Sequence, residues 1–196
     1  MSFFNYQKAT EIYLDNPFML EIINCLEEME LYHLLRDGDG AAEFKTLCLA
    51  SATDYEKWLS VCNGGLLFST TLLSCTAYDE EIDESFSTIQ EWNTVRKHNL
   101  LHLPKGFTII ALLNNGDPVC LSETDSKVYL WNKAENMFTT IWDSLADFLA
   151  NEYITAVAMV EDNALEPIPF KLSEEKDGQQ TDIYNNIQIW IQKGMI

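Results

Sequence analysis

The residues with the clearest chemical spacing are two histidines. His98 and His102 stand four positions apart, which would place both imidazoles on one helical face, where they could bind a metal ion. A metal site must also meet tests of ligand identity and number, and neither a glutamate directly after His98 nor a third ligand is evident. His33, the remaining histidine, lies among the glutamates of a predicted helix. The sequence therefore predicts no metal site and no cofactor.

Two further patterns are explained better by structure than by chemistry. Asp37-Gly38-Asp39-Gly40 has the composition of a calcium loop, but the later ligand positions do not match, so a helix-terminating turn is expected. Cys62 would need a base and an orienting group to act as a nucleophile, and its place on an apolar helix face favours packing. A phosphate loop, a nucleotide fingerprint and a nucleophile elbow are also missing. We predict no catalytic residues and no enzyme activity, with an uncharacterised hydrolase as the third-ranked alternative.

Charge is the strongest signal in the composition. The 196 residues include 31 acidic and 12 basic side chains, which gives a formal net charge of -19. Such a field repels nucleic acid and anionic lipid and attracts basic partners, although it also serves solubility alone. We therefore predict a protein partner, with no nucleic acid and no membrane.

The compartment follows from what the sequence does not contain. The N-terminus has no basic region followed by a long apolar run, and no apolar run is long enough to cross a bilayer. The five cysteines form no closely spaced pair, which is typical of free thiols in a reducing compartment. A cytoplasmic protein without disulfides is expected.

An aromatic-faced helix followed by a glycine stop is the most informative local pattern. Tyr55 and Trp58 share one face of this helix. Asn63, Gly64 and Gly65 end it, because asparagine and glycine tolerate positive φ. An apolar strand follows directly, so the segment predicts a sharp turn from helix into sheet.

Periodicity predicts the remaining elements. Asn16 and Pro17 open a helix whose apolar residues recur as far as Leu34. Further helices are expected from Ser87 towards Leu100 and from Asp143 or Ser144 through Leu149, while 42–49 is ambiguous between helix and strand. Apolar segments separated by turn sequences predict strands at 66–68, 72–75, 107–113, 119–121, 127–131 and 137–142.

These elements predict an α+β fold. A single domain is expected, in which an antiparallel sheet of about five or six strands packs against helices. Residues 1–50 would form an N-terminal helical extension of the same domain, 51–152 the core, and 153–196 a C-terminal extension. Within that extension, the polar stretch near 173–182 is expected to be flexible.

Several short motifs follow one another in a definite order between about residues 51 and 152. They are the helix and stop residues Trp58, Asn63, Gly64 and Gly65, the turn residues Gly116 and Asp117, the strand residues Val128 and Trp131, and the helix residues Ser144, Phe148 and Leu149. In this order the chain resembles the SUKH superfamily, the fold of fungal cell-wall assembly regulators and many bacterial toxin-immunity proteins, although Ala52-Thr53 stands where the family usually has Leu-Pro. The shared residues are mostly fold-makers.

This resemblance implies a protein-binding domain without enzyme activity. An immunity protein that neutralises a basic toxin domain by occlusion, with a nuclease as one example, is the first hypothesis. An intracellular regulatory adaptor without a toxin partner is the alternative. The sequence leaves the oligomeric state open.

Two features indicate where a partner would bind. From Trp58 to Val95 there is no Lys or Arg, and this span contains an acidic connection that could capture a cationic partner. Trp131, beside a polar turn, could anchor the same partner. The predicted partner-binding residues are Asp79, Glu80, Glu81, Asp83, Glu84 and Trp131.

Overall fold

In the described part of the chain, seven antiparallel strands form one sheet in which each strand pairs with the next one along the chain. The computed structural model describes residues 4–38, 40–41, 44, 53–75, 88–96 and 102–168. The strands are β1 Leu34–Leu35, β2 Gly65–Leu67, β3 Thr70–Leu72, β4 Phe107–Leu112, β5 Pro118–Ser122, β6 Val128–Asn132 and β7 Met137–Trp142. The helices are α1 Tyr6–Ile12, α2 Pro17–Glu28, α3 Thr53–Leu59, α4 Ile89–Glu91 and α5 Leu145–Glu161. The predicted α+β class, single domain and antiparallel meander are confirmed.

The strand β1 accounts for the difference between the five or six strands expected and the seven observed. The helical periodicity predicted a helix as far as Leu34, and this is wrong in its last part. α2 ends at Glu28, a short 3-10 turn spans Glu30–Tyr32, and the chain then becomes extended. Leu34 pairs with Leu66, so pairing with β2 overrides the local helical pattern.

Capping residues set the beginnings of the helices. The Asn16 side chain accepts a hydrogen bond from the Met19 N–H at 3.2 Å, and Ser144 accepts one from the Asp147 N–H at 3.1 Å, as their positions in the sequence predict. The helix expected to open at Ser87 is instead capped by Thr88, which accepts from the Glu91 N–H. α4 then continues as a π-helical turn at Trp92–Arg96.

The turn from α3 into β2 is held by close backbone contacts. Gly64 and Gly65 both have positive φ, 82° and 127°, as the glycine stop predicts. A Cβ atom on Gly65 would lie 2.2 Å from the Leu34 carbonyl oxygen, which is nearer than any side chain allows. The Asn63 side chain accepts a hydrogen bond from the Cys75 N–H at 2.9 Å. Only glycine at position 65 lets β1 approach β2 this closely.

The main core lies between the sheet and the helices. Tyr55 and Trp58 of α3 are buried, as their shared helix face predicts. α2 packs against α5, and the Trp142 ring lies 5.2 Å from the Phe148 ring of α5. α5 continues to Glu161, well beyond Leu149 and across the boundary placed at residue 152.

The turns at one end of the sheet are linked to each other. Gly116, with φ of 76°, turns the chain between β4 and β5. The Asp117 carboxylate accepts a hydrogen bond from the Lys133 N–H at 3.1 Å in the β6–β7 turn. Gly116 therefore makes the first hairpin turn, and Asp117 links it to the second. These structural roles agree with the fold-making role that the resemblance implies for both residues.

Candidate protein-interaction surface

Trp131 lies in the part of the sheet formed by β6 and β7. A register shift after Leu130 sets Trp131 opposite Phe138, and their rings meet edge to face at 4.9 Å. Only 4% of Trp131 is exposed. The indole therefore belongs to the core of the free protein, and its predicted role as a partner anchor stays a prediction.

Three half-buried aromatic residues extend from Trp131 towards the surface. Phe107, Tyr129 and Phe138 pack with one another, with ring centroids 4.5 to 5.1 Å apart. Phe107 comes from β4, Tyr129 from β6 and Phe138 from β7, so antiparallel pairing brings together residues distant in sequence. We name Phe107, Tyr129, Trp131 and Phe138 the aromatic cluster. Partly exposed rings of this type are common anchors in protein interfaces.

Carboxylates lie beside the aromatic cluster. The Asp125 carboxylate accepts hydrogen bonds from the Tyr129 hydroxyl at 2.9 Å and from the Lys127 N–H at 3.1 Å. Hydrogen bonding from Ser122, followed by the bonds from Lys127 and Tyr129, holds the pKa of Asp125 below its usual value. Asp125 therefore carries a full negative charge at neutral pH.

The lysines of this region do not cancel its charge. Lys127 forms an ion pair with Asp143 at 2.5 Å, and this bond raises the lysine pKa. The Lys133 ammonium donates to the Asn115 carbonyl oxygen at 3.1 Å. Between residues 117 and 147 there are six carboxylates and two lysines, a net charge of -4. The carboxylates are those of Asp117, Glu123, Asp125, Glu135, Asp143 and Asp147.

The strand β7 carries two large apolar side chains that face solvent. Met137 is 52% exposed and Ile141 is 57% exposed. The part of the chain that the structure describes thus places an aromatic cluster, two exposed apolar side chains of β7 and the carboxylates of Asp125 and Asp143 in one region. The acidic connection containing Asp79, Glu80, Glu81, Asp83 and Glu84 falls outside the described residues, so its role in capture stays a prediction.

The candidate chemical groups of the sequence are dispersed. The His33 ring is buried, with Nε2 2.9 Å from both the Tyr6 hydroxyl and the Leu26 carbonyl oxygen. His102 is exposed, and His98 lies outside the described residues. Among the residues that are described, no three His, Cys, Asp or Glu side chains are grouped as a metal site.

Cys62 is buried on the core side of its segment. Burial raises the pKa of its thiol to about 12, so almost none of it is thiolate at neutral pH. A nucleophilic cysteine needs the opposite environment, with a lowered pKa and access to substrate. The position of Cys62 suits a packing role.

Sequence reasoning missed a buried carboxylate on α5. Glu152 is 8% exposed, and its carboxylate accepts a hydrogen bond of 2.5 Å from the Thr70 hydroxyl of β3. Burial raises the pKa of Glu152, and the hydrogen bonds from Thr70 and Asn151 act in the opposite direction. With 31 acidic residues in the chain, nothing in the sequence distinguishes this one.

A cavity of about 480 Å³ was also not predicted. It lies between the β2–β3 turn and the segment after α5, with Phe68, Leu112, Met159 and Leu165 among its lining residues. Tyr32 and Glu166 are its titratable lining residues, and neither histidine nor cysteine lines it. Most of the lining is apolar, and Ser69, Thr71, Asn114, Asn163 and Glu166 are among its polar residues.

The fold is an α+β domain of the SUKH type. The chain belongs to the SMI1/KNR4 family (SUKH-1), whose family model matches residues 53–151. The resemblance seen in the sequence is thereby confirmed. Comparison with curated proteins and with solved structures gave no match. In the described part of the chain, every helix falls short of the length and apolarity that a membrane crossing requires.

Proposed function

We propose that this protein is an immunity protein that neutralises a basic toxin domain by binding it and covering its functional surface, without catalysis. Membership of the SMI1/KNR4 family is the observation that carries the proposal, because the superfamily includes many toxin-immunity proteins. Proteins of this kind act as binding scaffolds, and their shared residues make the fold. Specificity would then come from surface residues of the individual chain.

The charge of the chain supports a basic partner. A net charge of -19 accelerates encounter with a cationic surface and discourages encounter with anionic ones. A nuclease toxin needs a positive surface to bind the nucleic acid backbone. An acidic protein that covers this surface would block substrate binding directly.

The region around β6 and β7 supplies contacts that could hold such a partner. Half-buried aromatic residues and exposed apolar side chains give affinity when a partner removes them from water. The surrounding carboxylates give speed and orientation. Firm attachment and fast capture are the two properties that inhibition by occlusion requires.

We place this function in the cytoplasm. Cys62, Cys75 and Cys120 are buried and Cys25 is partly buried, and these four described cysteines are thiols rather than halves of disulfides. A protein that keeps several cysteines in the thiol form suits a reducing compartment.

A capture and rescue experiment tests the proposal. Full-length protein would be used to capture partners from native lysate at low salt, with elution at high salt and identification by mass spectrometry. A captured basic protein would then be produced in a host cell with and without the immunity candidate. The account expects toxicity that disappears on co-production.

Two results would contradict the immunity function. A captured partner that is harmless in the host would favour the regulatory adaptor. Loss of toxicity together with covalent change in the toxin would favour an enzyme. A glycine variant that no longer folds, such as Gly65→Val, provides the negative control for rescue.

A further inference from the structure

We infer that β7 is a docking edge on which an extended basic segment of a partner protein pairs as an additional strand. This inference rests on the proposed function and names the contact through which the partner would bind. It is carried by the geometry of β7, by its exposed side chains and by the charges around it.

The two edges of the sheet differ in accessibility. β1 is only two residues long, both residues are buried, and the Leu35 carbonyl oxygen accepts a hydrogen bond from the Phe4 N–H at 3.1 Å. β7 has six residues and pairs with β6 on one side, and no other described strand pairs with it. An edge strand presents backbone donors and acceptors to a further strand.

The sequence of β7 lacks two of the usual protections of an edge. Its residues, Met-Phe-Thr-Thr-Ile-Trp, include no charge and no proline, although both are common means of preventing edge pairing. The register irregularity lies near Thr139, and Thr140, Ile141 and Trp142 keep regular pairing with β6. The exposed side chain of Ile141 would lie beside an apolar side chain of the added strand.

The charges near β7 indicate which kind of added strand would bind there. Residues 117–147, which include β7, carry a net charge of -4. Lys133 and Glu135 precede the strand, and Asp143 and Asp147 follow it. A second copy of the chain would bring the same negative charges and a total of -19 of its own. The complementary occupant is therefore a partner strand that alternates basic and apolar residues.

The probe for this site is a synthetic ten-residue peptide that alternates Lys and Val. A Glu–Val peptide tests charge selection, and a Lys–Val peptide with N-methyl groups on one edge tests backbone pairing. Binding to the full-length protein would be measured by calorimetry at several salt concentrations. We expect binding of the Lys–Val peptide alone, weakening as salt rises because the charges are screened.

A matched pair of variants locates the binding. Ile141→Lys places a charge on the edge, and Ile154→Lys places the same charge on α5, at a residue that is 66% exposed. We expect Ile141→Lys to weaken peptide binding by at least about tenfold and Ile154→Lys to leave it within about twofold. Unchanged thermal midpoints for both variants show that the fold is intact.

Several results would overturn the inference. Absence of Lys–Val binding, insensitivity to N-methylation or equal effects of the two variants would each exclude the edge as the docking site. Self-association of the free protein that Ile141→Lys abolishes would assign the edge to a second copy instead. If Ile141→Lys neutralises a toxin as well as the wild type does, the docking edge is wrong and the immunity function stands. If the peptide binds at the edge but the protein neutralises no toxin, the docking edge stands and the immunity function is wrong.

Discussion

At the β1 end of the sheet the chain is closed by backbone contacts, whereas at the β7 end it presents side chains to solvent. Gly65 brings β2 against Leu34 with no space for a side chain. Met137 and Ile141 of β7, in contrast, are more than half exposed. The β1–β2 contact leaves no room for a side chain at position 65. The β7 end has room for different side chains, and we propose that the choice of partner is determined there.

The largest expected effect on stability comes from a substitution at the β1 end of the sheet. Gly65 and Gly106 both have positive φ, but an added Cβ would meet the Leu34 carbonyl at position 65 and nothing within 4 Å at position 106. We expect Gly65→Ala to lower the free energy of unfolding by about 3 kcal/mol or more, from backbone strain and overpacking together. Gly106→Ala should cost about 1 kcal/mol, from strain alone.

Urea melts of these two variants and the wild type measure the difference directly. Equal losses of stability at the two positions would mean that the close approach of β1 is unimportant. The comparison between the two ends of the sheet would then lose its structural basis.

Glu152, which lies between the two ends of the sheet, is expected to make the stability of the protein depend on pH. Because burial raises its folded-state pKa above the usual 4.5, the folded protein binds this proton more tightly than the unfolded chain does. The contribution to stability is full below pH 4.5 and declines as pH rises through the folded-state pKa. Glu152→Gln should therefore gain stability relative to the wild type as pH rises.

Thermal or urea melts at pH 4 to 8 test this sign. Glu161→Gln, which removes one exposed charge from the same helix, controls for the general relief of acidic repulsion. A gain that is the same for both variants would show that the burial of Glu152 has no separate effect. Thr70→Val should destabilise the neutral-pH protein by about 2 kcal/mol, since it removes a hydrogen bond to a charged group.

Substitutions in the acidic connection are expected to change stability least, but to change the rate of partner binding clearly. Replacing Asp79, Glu80, Glu81, Asp83 and Glu84 with Asn and Gln should slow association with a basic partner and flatten its dependence on salt. Dissociation should change less, since the Debye length of about 8 Å at physiological salt limits these charges to capture. Stopped-flow or surface-binding kinetics at several ionic strengths measure both rates.

A matched control removes five charges from the helical side of the molecule. This control replaces five exposed glutamates with Gln and has the same net charge as the variant of the acidic connection. The replaced residues are Glu11, Glu21, Glu27, Glu28 and Glu161. Equal slowing in both variants would mean that total charge governs capture and that the position of the connection does not.

The sequence predicted most of the sheet because alternation and turn residues act locally. The strands from β4 to β7 are separated by polar turns, and Asn63, Gly64 and Gly65 mark the turn into β2. β1 was missed because Leu34 continues the apolar spacing of α2, and only pairing with Leu66 shows it to be a strand. Local pattern cannot reveal a strand of two residues whose stability comes from a distant partner.

The surface was harder to predict than the fold. Trp131 was predicted as a partner anchor beside a polar turn, but a register shift that no sequence pattern signals turns it towards Phe138 and buries it. The aromatic cluster joins residues from three strands, so its members are neighbours only after folding. The exposure of Ile141 depends on β7 being the last strand of the sheet among the described residues, which is a property of topology.

The central claim is that the protein neutralises a toxin by occupying it, and a titration of toxin activity tests this most directly. A fixed amount of the captured basic toxin would be mixed with increasing amounts of the full-length protein, and residual activity measured after equilibration. The account predicts a linear fall that reaches zero at an equimolar ratio, with activity recovered when high salt and dilution release the toxin. Complete and irreversible loss of activity at a small fraction of one equivalent would contradict it, because only a catalyst inactivates many toxin molecules in turn.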